Sequence, residues 1–188
     1  MPDGTQLSRS ASGMLLTLPN VVTFGRLCAV PLAFWLIIDR HPAYAFFLFV
    51  AAGVSDAIDG WMARRWGGSM VGAVLDPVAD KALLVTMYVT LAVVHELPDW
   101  LAILVVFRDL MIVGGVLVLG LLAQPVTIRP LRISKLNTVL QILLVAMTLL
   151  LAGFGLSVPV ATLALTWTVA ATTLASGAAY VWVTVRGR

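Results

Sequence analysis

Four aspartates with close spacing interrupt an otherwise apolar part of the chain. Asp56 and Asp59 stand three positions apart, and Asp76 and Asp80 stand four positions apart. A charged side chain within a membrane-spanning segment is costly unless it is paired, hydrated or bound to metal, so such a cluster indicates a functional site. Carboxylate oxygens are the ligands that hard divalent cations such as Mg²⁺ and Mn²⁺ prefer. The four aspartates therefore predict a metal site.

Small residues and one arginine accompany the first aspartate pair. If residues 43–66 are helical, five residues fall on one face of the helix: Asp56, Asp59, Gly60, Ala63 and Arg64. Gly60, Ala63 and Gly72 carry no bulky side chain, and this leaves room for a flat or phosphate-bearing ligand against the backbone. The pattern thus predicts both metal ligands and space for a ligand beside them.

The spacing D-x-x-D-G-x-x-A-R, followed by G-x-x-x-D-x-x-x-D, resembles the signature of the CDP-alcohol phosphotransferases, and every fixed position is filled. These integral membrane enzymes transfer a phosphatidyl or similar group from a CDP-linked donor to an alcohol and release CMP. The resemblance implies two divalent cations, Mg²⁺ or Mn²⁺, on four ligands: Asp56, Asp59, Asp76 and Asp80. It implies that five residues bind the donor, CDP-diacylglycerol: Asp56, Gly60, Ala63, Arg64 and Gly72. It also implies that Asp80 is the general base.

Shorter strings narrow the resemblance within the family. Residues 18–26 and 75–81 are similar to the branch that contains phosphatidylglycerophosphate synthases and CMP-forming cardiolipin synthases, both of which use CDP-diacylglycerol. The strings at 107–111, 133–141 and 171–176 resemble the cardiolipin synthases more closely. The implied acceptor is therefore phosphatidylglycerol, and glycerol 3-phosphate is the alternative. The resemblance also implies a homodimer.

The composition is that of a membrane protein. The 188 residues are 61% hydrophobic and only 11% charged, unlike those of an ordinary soluble domain. Six apolar runs are long enough to cross a bilayer at ~1.5 Å per residue: about 21–38, 43–63, 77–94, 100–121, 136–152 and 159–184. We predict an all-α polytopic membrane protein with six transmembrane helices in a single domain, residues 1–188. A polar tail over 1–13 and a short interfacial helix would precede the first span.

Basic residues are distributed unevenly between the two ends of the predicted spans. One end collects eight of them: Arg9, Arg64, Arg65, Arg129, Arg132, Lys135, Arg186 and Arg188. The positive-inside rule then places both termini and the aspartates on the cytosolic side of a bacterial inner membrane, or on the matrix side of a mitochondrial inner membrane. The net charge is +3, and the basic residues are scattered over helix ends without a continuous patch. No nucleic-acid partner is therefore expected.

Four cations outside the signature are candidates for binding an anionic acceptor: Arg26, Arg108, Arg132 and Lys135. Arg26 lies past the first turn of the first span and needs an anionic partner. Arg108 precedes Asp109, and adjacent helical residues point about 100° apart. We therefore expect one of these two to face a polar cavity, with a mutual pair as the alternative. Arg132 and Lys135 either bind an acceptor phosphodiester or belong to a solvated cytosolic loop.

Two other classes of membrane protein also hold buried carboxylates. An aspartate-rich prenyltransferase uses acid pairs and Mg²⁺ on a diphosphate donor, but such proteins generally have more helices. A cation transporter needs no arginine beside its metal, and it should carry acids along a path to both faces. Turnover of a prenyl donor and ion flux in proteoliposomes would separate these classes from a phosphotransferase.

Overall fold

The computed structural model describes the backbone of residues 18–66, 70–121 and 132–186, and most of their side chains. These residues form six helices: α1 Leu18–Ile38, α2 Pro42–Trp66, α3 Met70–Val93, α4 Asp99–Leu121, α5 Arg132–Phe154 and α6 Pro159–Arg186. No strand occurs in the described ranges, and the all-α prediction is confirmed. The predicted polar tail and the interfacial helix before Pro19 fall outside the described residues.

Large apolar side chains on several helices face outward. Phe24, Ile103 and Val160 are 69%, 68% and 79% exposed, which suits helices surrounded by lipid. Within the described part of the chain, two helical stretches meet the length and hydropathy of a membrane span: Arg132–Phe154, with mean hydropathy 2.0, and Pro159–Val183, with 1.3. The total of six spans stays a prediction.

Two tight turns end helices α1 and α3. Each contains a residue in the left-handed region, Arg40 with φ 61° and His95 with φ 62°. The following amide closes the turn onto the preceding helix, from His41 N to the Leu36 carbonyl at 2.8 Å and from Glu96 N to the Leu91 carbonyl at 2.9 Å. These bonds satisfy carbonyls that the helix end leaves without a partner.

The chain divides into two compact units, Met1–Thr86 and Met87–Arg188. In the first unit, α1 packs against α2, and several buried residues are alanines, among them Ala29, Ala33 and Ala45. Small side chains let helix backbones approach closely, which is how helices associate in membranes. The prediction of one domain over the whole chain stays a prediction.

In the second unit, α6 packs against both α4 and α5. Its buried apolar residues include Leu101 and Val105 on α4 and Leu144 on α5, each fully buried. The end of α3 joins this unit through Tyr88, whose hydroxyl donates to the Gln141 carbonyl on α5 at 3.2 Å. Helices α4, α5 and α6 therefore present side chains to a common interior.

Candidate active site

Arg26 joins two of the predicted site aspartates within the first unit. Its Nη1 lies 3.0 Å from Asp56 Oδ1 and donates a hydrogen bond of 2.7 Å to Asp80 Oδ1. Arg26 comes from α1, Asp56 from α2 and Asp80 from α3, so one guanidinium nitrogen links three helices. The carboxylates supply the anionic partner that the sequence predicted for Arg26.

The arrangement of Asp56 and Asp80 suits a divalent cation. One oxygen of each carboxylate already lies close to a single positively charged atom, Arg26 Nη1, so the two side chains converge. Oxygen is the ligand that Mg²⁺ and Mn²⁺ prefer. The two aspartate side chains are 44% and 42% exposed, and a ligand can reach them. These two residues therefore fit the metal that the sequence predicts.

The remaining signature residues lie on the same two helices. Helix α2 contains Asp59, Gly60, Ala63 and Arg64, and helix α3 contains Gly72 and Asp76. Their side chains lie outside those that the structure describes, and among the described side chains no group of three potential metal ligands occurs. A cluster of four carboxylates therefore remains a prediction, as do the donor-binding roles of the small residues and Arg64.

A second buried guanidinium, that of Arg108, lies in the unit formed by α4, α5 and α6. Its Nη1 donates to Asp109 Oδ1 at 2.7 Å. Its Nη2 donates to Ser134 Oγ on α5 at 2.6 Å and to Ser176 Oγ on α6 at 2.5 Å. Arg108 is 3% exposed. Its hydrogen bonds connect α4, on which it lies, to α5 and α6.

The expectation that Arg108 and Asp109 would not face each other is wrong. Helical geometry sets adjacent Cβ atoms about 100° apart, but the long arginine side chain folds back far enough to contact its neighbour. Both residues are buried, at 3% and 4% exposure, and the pair that the sequence left as the alternative is the observed arrangement.

Arg132 and Lys135 lie at the start of α5, and both are exposed. They flank Ser134, the residue that accepts a hydrogen bond from Arg108. The first turn of α5 contains no acidic residue, and a helix N-terminus itself carries partial positive charge. Three cationic side chains and a helix N-terminus therefore belong to the same part of the second unit.

A buried polar seam between α5 and α6 was missed by the sequence reasoning. Asn137 Oδ1 accepts hydrogen bonds from the hydroxyls of Thr172 and Thr173, both at 2.9 Å. Gln141, one turn further along α5, is 1% exposed. The signal was available, because Ser134, Asn137 and Gln141 recur at helical spacing in an apolar helix, and polar residues of this kind join helices in membranes.

Substitution of Asn137 by Ala is expected to lower the stability of the folded protein by about 1–3 kcal/mol. The change removes the acceptor of two hydrogen bonds and leaves space in a packed interface. The midpoint of thermal unfolding in detergent measures the effect. Thr168→Ala is the matched control, because the Thr168 hydroxyl is exposed and, within the described part of the chain, donates to the Ala164 carbonyl of its own helix. Equal midpoints for the two variants would contradict a stabilising role for the seam.

The aspartate signature lies in a region of the chain that matches a known protein family. Residues 16–175 match the family profile described as CDP-alcohol phosphatidyltransferase. The chain belongs to this family. The matched range contains every residue of the aspartate signature, as well as Arg26, Arg108 and both candidate cations of α5. CDP-alcohol phosphatidyltransferase membership favours group transfer from a CDP-linked donor over the prenyltransferase and transporter alternatives.

Curated relatives fall into two groups by name. The chain is 36% identical, over 88% of its length, to a cardiolipin synthase (CMP-forming)/mitochondrial hydrolase fusion protein of Schizosaccharomyces pombe, of which it covers 31%. It is 34% identical, over 95% of its length, to a chloroplastic CDP-diacylglycerol–glycerol-3-phosphate 3-phosphatidyltransferase of Oryza sativa, of which it covers 61%. It is 32% identical, over 71% of its length, to the human cardiolipin synthase (CMP-forming), of which it covers 50%. The chain thus spans between 31% and 61% of the length of these relatives.

Proposed function

We propose that this chain makes cardiolipin by transferring the phosphatidyl group of CDP-diacylglycerol to phosphatidylglycerol, with release of CMP. The observation that carries the proposal is the convergence of Asp56 and Asp80 on one cationic atom, in a chain whose family transfers groups from CDP-linked alcohols. Two carboxylates drawn together from neighbouring helices are what a metal-assisted attack on a diphosphate requires.

The signature residues have separate roles in the proposed reaction. Asp56, Asp59, Asp76 and Asp80 would hold two divalent cations, which neutralise the donor diphosphate when bound. Gly60, Ala63 and Gly72 leave space for the CDP moiety, and Arg64 donates hydrogen bonds to its phosphates.

Asp80 acts as the general base in this mechanism. Its carboxylate takes the proton from a free glycerol hydroxyl of phosphatidylglycerol, whose oxygen forms a bond to the diacylglycerol-bound phosphorus. The bond from that phosphorus to the bridging oxygen breaks, and CMP leaves with the electron pair. The exposure of Asp80, 42% of its side chain, allows an acceptor hydroxyl to approach it.

The acceptor carries one negative charge at its phosphodiester, and this anion needs a charge-assisted donor in an apolar surrounding. Arg108 and Lys135 are the proposed donors, and Arg132 stands beside them at the start of α5. The Nε of Arg108 is buried and has no partner among the described residues, so its N–H is left to donate to an anion. Arg26 is a weaker candidate for the acceptor, because its Nη1 is engaged by Asp56 and Asp80.

Glycerol 3-phosphate is the second candidate acceptor, because the relative from Oryza sativa carries that acceptor in its name. Purified protein should be given CDP-diacylglycerol and Mg²⁺ or Mn²⁺ together with phosphatidylglycerol or glycerol 3-phosphate in turn, and the lipids identified by mass spectrometry. We expect cardiolipin as the main product. A preference for glycerol 3-phosphate would replace the cardiolipin assignment with phosphatidylglycerophosphate synthesis.

Arg108→Gln and Lys135→Gln are each expected to raise the apparent KM for phosphatidylglycerol by about tenfold or more, equivalent to ~1.4 kcal/mol of lost binding. The KM for CDP-diacylglycerol should change little, and it serves as the internal control. Steady-state kinetics in mixed micelles measure both constants. A parallel rise in the two KM values would indicate general damage to the protein and would remove the acceptor assignment.

The proposed enzyme is embedded in a bacterial inner membrane, or in the mitochondrial inner membrane of a eukaryote, as a homodimer. Six spans would bring both termini and the aspartates to the cytosolic or matrix side. The support is the outward-facing apolar surface of the helices and the positive-inside distribution of arginine and lysine.

A further inference from the structure

Arg26 is far more deeply buried than the carboxylates that it contacts. Its side chain is 2% exposed, whereas those of Asp56 and Asp80 are 44% and 42% exposed. The guanidinium is therefore shielded from the surroundings, whereas the two carboxylates remain accessible. A cation from outside can reach the two aspartates without contacting the guanidinium.

The buried charge of Arg26 depends on these two carboxylates. Both ion pairs run through Nη1, whereas Nε and Nη2 are buried without a partner among the described residues. Removal of a partner from a buried ion pair is strongly unfavourable, because an uncompensated charge remains. The two carboxylates depend on Arg26 in turn, because converging carboxylates repel each other unless a cation lies between them. In the absence of metal, Arg26 supplies that cation.

A divalent cation bound to Asp56 and Asp80 would neutralise the two carboxylates in place of Arg26. The guanidinium would repel this cation at short range. Space for the guanidinium to withdraw exists beside it. Arg26 lines a cavity of about 220 Å³ between α1 and α2, whose other walls include the small residues Gly25, Ala29 and Ala51. The cavity lies within the first unit, next to Ser55 on the turn that carries Asp56.

We propose that Arg26 is an internal counter-ion of the metal site: it holds Asp56 and Asp80 in the metal-free protein and competes with the divalent cation for them. The proposal rests on the proposed function to the extent that both aspartates are metal ligands. Arg26 is thus a positioning residue, not a catalytic one. As a consequence of this counter-ion, the chain binds metal more weakly than the two carboxylates would without Arg26. The chain also folds without metal.

The test is the dissociation constant for Mn²⁺, measured by titration calorimetry on the purified full chain without lipid substrates. Arg26→Gln is expected to lower this constant by about tenfold or more, equivalent to ~1.4 kcal/mol. Arg26→Lys keeps the charge and should retain the wild-type constant. Arg40→Gln is the matched control, because it removes the same charge from an exposed turn of the same unit and should change nothing.

An unchanged or weaker affinity in Arg26→Gln would overturn the proposal while leaving the proposed function intact. Absence of Mn²⁺ binding in the wild-type protein would instead overturn the metal chemistry of the proposed function. If Arg26→Gln folds poorly, we expect the folded yield to recover when Mn²⁺ is present throughout purification and to fall in EDTA. Failure to fold under both conditions would show a purely structural role and would reject the counter-ion.

Discussion

Asp80→Asn is expected to lower kcat by between about a hundredfold and ten-thousandfold, the usual contribution of a general base. Asparagine keeps the size of the side chain but cannot accept the proton of the attacking hydroxyl. The KM for CDP-diacylglycerol should change much less, because Asp80 is not among the proposed donor-binding residues. Steady-state kinetics with cardiolipin quantified by mass spectrometry measure both effects.

Asp56→Asn is the matched comparison for this result. Both aspartates contact Arg26 Nη1, so each asparagine variant loses one of the two ion pairs. Only Asp80 is proposed to accept a proton, and Asp56→Asn should therefore impair donor binding and turnover together. Near-normal turnover of Asp80→Asn with metal bound would mean that another group is the base.

Removal of divalent cations is expected to reduce turnover to background. The four proposed metal ligands and the donor diphosphate would repel one another strongly unless cations neutralised them. Treatment with EDTA followed by desalting should abolish cardiolipin formation, and addition of Mg²⁺ or Mn²⁺ should restore it. EDTA saturated with Mg²⁺ beforehand is the control for effects of the chelator itself. Full activity after rigorous chelation would eliminate the metal mechanism.

The sequence predicted the helices well because their apolar runs are long and well separated. The fourth predicted run, about 100–121, differs from α4, Asp99–Leu121, by one residue. The third, about 77–94, begins later than α3, which starts at Met70. Hydropathy detects the apolar part of a helix, whereas the hydrogen-bonded helix continues through the polar residues around Asp76.

The partners of individual charges were harder to predict. The sequence required an anion near Arg26, but nothing in it specified Asp56 and Asp80, which are 30 and 54 positions away and depend on how three helices pack. For Arg108 the helical spacing was misleading, because it describes the directions of Cβ atoms and ignores the reach of a long side chain. Ser134 and Ser176 belong to the strings at 133–141 and 171–176, which resemble the cardiolipin synthases. The sequence does not show that both serines contact Arg108, because these contacts depend on the packing of three helices.

The division of the chain into two compact units has an evolutionary consequence. The proposed donor residues from Asp56 to Asp80 belong to the first unit, whereas the main proposed acceptor residues, Arg108, Arg132 and Lys135, belong to the second. Substitutions that change the acceptor can therefore accumulate without altering the donor chemistry. On the proposed assignment, the difference between a relative named cardiolipin synthase and one named glycerol-3-phosphate 3-phosphatidyltransferase would lie in the second unit.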